Sequence, residues 1–162
     1  MARIRTFTIR RLQRQKRRSE KVRQTPTFLR STYPFRFDAC LRIAGVGEHH
    51  DEITVQTGLL PTRSHKKGEL RRRGRDVQWA EDLWLLESPL GEHASLDEHL
   101  AWLSETILPH KEYFLMLIAR ASWADVCLGC LSESAYPVLS ARQSSLNIVR
   151  ELPLALSFNF TC

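Results

Sequence analysis

Residues able to do chemistry gather at four places in this chain of 162 residues. The first is the run LLPTRSHKKGELRRRGR, residues 59 to 75, where eight Lys, Arg or His side chains face one acid, Glu69. Arg63, Lys66, Lys67, Arg71, Arg72, Arg73 and Arg75 could gather phosphates or carboxylates, since each cation placed near a polyanion releases a condensed counterion. The same run also reads as a solvated loop, with Gly68 and Gly74 as turn punctuation. The second place is Cys127-Leu-Gly-Cys130, which has the spacing of a redox pair or of half a zinc site. A redox pair of this kind usually begins a helix, whose N-terminus lowers a thiol pKa, and this one lies in an alternating, strand-like stretch. Zinc would need two further ligands at compact spacing, and Cys40, Cys162 and the scattered histidines supply none, so buried structural cysteines are expected. At the third, His49-His50-Asp51-Glu52, the acids suit the positive end of a helix better than they suit a metal. At the fourth, Ser88, His93 and Asp97 form a nominal triad without the glycine pattern of a nucleophile elbow. The expectation is therefore no catalytic residue, no metal and no cofactor.

Charge is unevenly spread along the chain. Residues 1 to 33 hold 11 Lys and Arg against one acid, a net of +10, whereas residues 34 to 162 hold 13 against 17, a net of −4. Dense like charge with few large apolar residues favours disorder in the tail. An arm for nucleic acid, an organelle transit peptide, an anchor to anionic lipid and an over-long gene start are the competing readings of it. No apolar run approaches the roughly 18 residues of a membrane span, and the tail lacks the apolar core of a secretory signal. Four cysteines in a chain with 43% hydrophobic residues do not call for a disulfide framework, so a cytoplasmic protein with reduced thiols is expected.

The elements that must position these residues follow from periodicity. FRFDACLRI alternates Phe35, Phe37, Ala39, Leu41 and Ile43 with Arg36, Asp38, Cys40 and Arg42, a strand with one wet face. The stretch after Gly47 reads as a short helix ended by Gly58 and barred from continuing by Pro61. LWLLES, residues 83 to 88, reads as a buried strand. Ser95 with Glu98 is a capping-box signature, opening a helix with Leu96, Leu100, Leu103 and Ile107 on one face. Pro109 should kink or restart it, with an apolar face continuing to about residue 121. WADVCLGCLSES reads as a central strand, Ser140 with Gln143 as a second capping box, and LALSFNFTC as a terminal strand. Together these predict an α+β domain over residues 34–162, a single open, largely antiparallel sheet with two to three helices packed on one face. Residues 1–33 form a basic extension outside it.

The succession GLLPTRSHKKGE, then Gly74-Arg75, WLLESPL, a helix carrying Leu108-Pro109-His110 and a strand–helix–strand end resembles the bacterial family called domain of unknown function 4279. The resemblance spans about residues 35 to 161 and implies a compact bacterial α+β domain. It carries no catalytic residue with it.

Three functional readings remain open on the sequence. The leading one is a non-enzymatic protein-binding module, inhibitor-like or immunity-like, that holds an acidic protein partner with its sheet or its charged loop. The second is an enzyme or small-ligand binder whose site assembles only in three dimensions, for which Arg75, Trp84 and His110 are the candidate pocket residues. The third is a polyanion or nucleic-acid contact through the tail and the 63–75 loop. It is weakened because no aromatic is interleaved in the basic run before Trp79 to stack a base, because no nucleic-acid fold signature is present, and because the body behind the loop is acidic.

Overall fold

The computed structural model describes residues 35–71, 77–132 and 139–161. Five strands form one open sheet: β1 (Phe35–Ala44), β2 (Arg63–His65), β3 (Leu83–Glu87), β4 (Trp123–Ser132) and β5 (Ala155–Thr161). Their order is β2-β3-β1-β4-β5, antiparallel except for the parallel pair β4–β5. The alternation of β1 explains its central place. Ala39, Leu41 and Ile43 are fully buried, and the register sets Leu41 between Leu86 and Val126, and Ile43 between Trp84 and Ala124. One apolar row thus crosses three strands on the same face.

Helices cover that face. The helices are α1 (His50–Thr57), α2 (Leu96–Ile107), α3 (Lys111–Ile118) and the single turn α4 (Asn147–Glu151). α1 stops at Gly58, whose φ of 71° is open to glycine at little cost. α2 opens with the predicted capping box: the Glu98 amide donates to the Ser95 hydroxyl and the Ser95 amide donates to the Glu98 carboxylate at 2.7 Å. Leu96, Leu100, Leu103 and Ile107 are buried against the sheet, and Trp84 tilts against Phe114 of α3 with 6.2 Å between ring centres. Pro109 interrupts the helix as expected, through a 3-10 turn at Leu108–His110.

α3 itself ends at Ile118, where Arg120 and Ala121 tighten onto Leu117 and Ile118 in i→i−3 bonds, and its apolar face runs on to Ala121, partly buried against the core, as expected. One local expectation is corrected. The second capping box does not form. Gln143–Leu146 is a 3-10 turn without a side-chain cap of its own, and the Arg142 amide donates instead to the Asp97 carboxylate at 2.8 Å. That amide, with the Ser145 hydroxyl, holds Asp97 below the usual carboxylate range. A full negative charge 45 residues away supplies a stronger acceptor than the local Ser140 hydroxyl.

Helical cover thins out over β5. Leu156, Phe158 and Phe160 continue the apolar row by register with Val126, Leu128 and Cys130, yet Phe158 and Phe160 remain 50% and 51% exposed. Among the described residues no helix is long and apolar enough to cross a membrane.

Candidate functional site

The basic run is the stem of a hairpin. β2 is short because Pro61 precedes it, and Thr62 fastens its start: the Thr62 amide donates to the Leu85 carbonyl and the Thr62 hydroxyl accepts from the Glu87 amide. After His65 the chain turns at Lys66–Glu69, where the Glu69 amide donates to the Lys66 carbonyl at 3.1 Å and Gly68 takes φ 84°. A positive φ at the third residue is what a type II turn requires. Beyond the turn, residues 69–71 run against 77–79, with the Trp79 amide on the Glu69 carbonyl and the Arg71 amide on the Val77 carbonyl, each at 2.9 Å. Arg72, Arg73 and Arg75 belong to the sequence-predicted contact set and lie outside the described residues.

Trp79 organises the charge on this stem. Its ring stacks on His65, with 3.8 Å between centres and 15° between planes, and the Arg71 guanidinium lies 4.2 Å from its centre. Arg71 therefore rests on an aromatic face at an exposed position, a contact worth about 0.5–1 kcal/mol. Arg63 pairs with Glu87 at 3.5 Å, an exposed contact that contributes little. Lys66 and Lys67 meet the Gly45–His49 turn and Asp82 around a cavity of about 420 Å³. Its carboxylate wall is fixed: Asp82 accepts the Val46 amide at 2.8 Å and stands 4.0 Å from the buried His50 ring. Burial pushes His50 below its ordinary pKa, opposed by Asp82. The lining balances Lys66 and Lys67 against Glu48 and Asp82, so it can hold a polar group by hydrogen bonding and carries no net positive charge.

The remaining sequence candidates separate. Trp84 is fully buried and His110 is half-buried. Neither lines this cavity nor the smaller one of about 210 Å³ beside Tyr113 and Arg120, and Arg75 lies outside the described residues. Ser88 meets His99, not His93: the two side chains lie 3.0 Å apart, both buried, in the core. His49 contacts Glu52 at 2.8 Å on the first turn of α1, the shared face that their spacing predicts. Cys127 and Cys130, three apart on one strand, stand on opposite faces of the sheet. Cys130 is buried, and Cys127 is half-buried directly opposite Cys40.

That last pairing belongs to a cluster on the face that no described helix covers, which periodicity alone did not reveal. The Arg42 guanidinium grips Asp125 through two bonds, at 2.8 and 2.6 Å, and the Ser157 hydroxyl also donates to Asp125. The bond to Asp125 holds the proton on Arg42 more firmly still. Trp123 lies over Arg42 at 5.4 Å and donates its indole N–H to Glu81 at 3.0 Å. The wet side of β1 was the available signal, since it put Asp38, Cys40 and Arg42 on one face. Their partners lie across strands about as far along the chain as Asp125, 83 residues from Arg42, where no local pattern reaches.

Comparison with curated proteins and with solved structures finds no match. A family model does match, over residues 34–162, and its limits coincide with the sheet and its helices. The chain therefore belongs to the family described as Domain of unknown function (DUF4279).

Proposed function

We propose that the domain is a non-enzymatic binding module of the bacterial cytoplasm that holds an acidic protein partner through the 63–79 hairpin. The observation that carries this reading is the gathering of Lys66, Lys67 and Arg71 on one edge element of a body whose net charge is negative. A partner's carboxylates would meet Arg71 on its aromatic rest and the two lysines beside the cavity. A nucleic-acid contact is less well supported, because Trp79, the aromatic of this stem, is already stacked between protein groups and offers no free face for a base.

The test compares the full-length chain with its Lys66→Ser/Lys67→Ser/Arg71→Ser variant in affinity capture from native bacterial lysate, with identification by mass spectrometry. The basic tail is common to both, so only the difference counts. Acidic proteins held by the parent and lost by the variant are expected, with the difference shrinking as salt rises and exposed pairs are screened. The two lysine substitutions should each change stability by no more than about 0.5 kcal/mol, and Arg71→Ser by about 0.5–1 kcal/mol. Identical capture by the two chains would remove the hairpin from the function.

A second mode of protein binding is favoured by β5. An edge strand of seven residues with no charge, carrying exposed Phe158 and Phe160, lacks the devices that usually guard an edge. It suits an extended apolar segment added as a sixth strand. Binding of that kind would persist in high salt and would be abolished by Phe158→Lys.

A further inference from the structure

We propose that Cys40 and Cys127 form a redox-modifiable dithiol, joined as a cross-strand disulfide when a small disulfide of the glutathione class reaches the uncovered face. The inference is independent of the hairpin and of β5. It starts from register. Cys40 and Cys127 are direct partners across the antiparallel pair β1–β4. Ala39 turns its carbonyl to the Ser88 amide beside β3, so Cys40, the next residue, turns its backbone groups toward β4, and the two cysteines are a hydrogen-bonded pair. Such a pair has Cα atoms about 5.5 Å apart, within the roughly 4.4–6.8 Å that disulfides span. Both side chains leave the same face of the sheet. Both cysteines are unbridged and half-buried.

The neighbours decide which thiol reacts first. Burial pushes the Cys40 thiol up to about 12, helped by Cys127, Asp38 and Glu87 and opposed by Arg42. Cys127 is raised as well, mainly by burial and then by Asp125 and Asp38, but Arg42 and the contact with Cys40 pull it down. Cys127 is thus the attacking group. As thiolate it displaces one half of the oxidant, RSSR, forming a Cys127–S–SR mixed disulfide and releasing RS⁻. Cys40 then loses its proton to solvent and attacks the Cys127 sulfur, expelling the second RS⁻. The balance is two protein thiols plus RSSR giving one protein disulfide plus two RSH; the protein loses two electrons and the oxidant gains them. Because the thiolate is the nucleophile, the rate should climb as pH rises from about 7 to about 9. The product ties β1 to β4 beside the Arg42–Asp125 pair, and closing it draws the strands together locally, since the Cβ atoms of a hydrogen-bonded pair stand about 5.5 Å apart and a disulfide spans about 3.5–4.5 Å. Cys130, on the other face, is excluded by the same pleat.

The experiment uses the full-length reduced protein and oxidised glutathione, read by intact mass and by a non-reducing peptide map. The expected result is loss of two thiols, a single cross-link joining the β1 and β4 peptides through Cys40 and Cys127, a higher melting temperature, and reversal by dithiothreitol. Cys40→Ser should convert the transient adduct into a lasting glutathione adduct on Cys127. A cross-link from either cysteine to Cys130 or Cys162 would overturn the proposal. So would wild-type protein that keeps thiols 40 and 127 free, or that accumulates glutathione adducts without closing the bridge.

Discussion

On its helix-covered face the sheet presents Ala39, Leu41, Ile43, Trp84, Leu86, Val126 and Leu128, whereas on the other the same strands present Asp38, Cys40, Arg42, Asp125, Cys127 and Ser157. The two rows specify different things. Sliding β4 by two residues along β1 would set Leu41 against Ala124 or Leu128, and the covered face would remain apolar. The same slide would set Arg42 against Trp123 or Cys127 and strand Asp125, a nearly buried carboxylate. Apolarity therefore chooses which face is inside, and the Arg42–Asp125 fork chooses which residue lies opposite which. Buried ionic groups serve best in this register-setting role.

The largest expected effect lies on the covered face. Trp84→Ala should cost about 3–5 kcal/mol, because its ring is fully enclosed and packs on Phe114. Trp79→Ala, on the half-exposed hairpin, should cost well under half as much. Denaturant titrations measure both, and equal losses would erase the contrast between a core ring and a surface one.

An intermediate effect lies on the open face. Asp125→Ala leaves the Arg42 guanidinium and the Ser157 hydroxyl without their acceptor, at a cost of about 1–3 kcal/mol. If the pair sets register as a unit, removing Arg42 as well should add little. A double-mutant cycle reads this directly, and fully additive losses would deny the two residues their joint role.

A smaller effect separates the faces by pH. His99, enclosed by α2 and paired with Ser88, is pushed below its ordinary value by burial, as is His50. A histidine with a depressed folded-state pKa binds fewer protons folded than unfolded. Its neutral form then stabilises above the unfolded value of about 6.5, and that contribution is lost as pH falls. Melting temperature should decline from about pH 7 to about pH 5, and less steeply in His99→Gln. An unchanged slope would show that these rings take up protons without cost.

How far the sequence reaches is clear from particular residues. Alternation in β1, the Ser95–Glu98 box, Gly58 and Pro109 each act within a few positions of where they stand, and each has its predicted effect. Ser140 misled because Asp97, on another helix, holds the Arg142 amide, and the turn starts at Arg142 and not at Ser140. The Cys127–Cys130 spacing lies in a strand, as expected, but it does not make the partner of Cys127 legible. Within a strand a three-residue step reverses the face, and the true neighbour of Cys127, Cys40, lies two strands and three helices earlier in the chain. The hairpin's position at the sheet edge and the cavity at its foot needed Asp82 and the 45–49 turn brought together, which no short-range pattern encodes.

The central place of β1 also sets a clock. It is the first strand of the domain to leave the ribosome, and both of its neighbours come later: Leu86 is needed for one edge and Asp125, 83 residues after Arg42, for the other. At about 5–20 residues per second, roughly 4–17 s pass before Arg42 can meet Asp125. During that interval Ala39, Leu41 and Ile43 have at most β3 beside them, and one long backbone edge stays unpaired. β1 cannot be paired along both edges until residue 132 has been made, so the speed of translation across the helices governs how long the nascent chain is exposed to wrong partners.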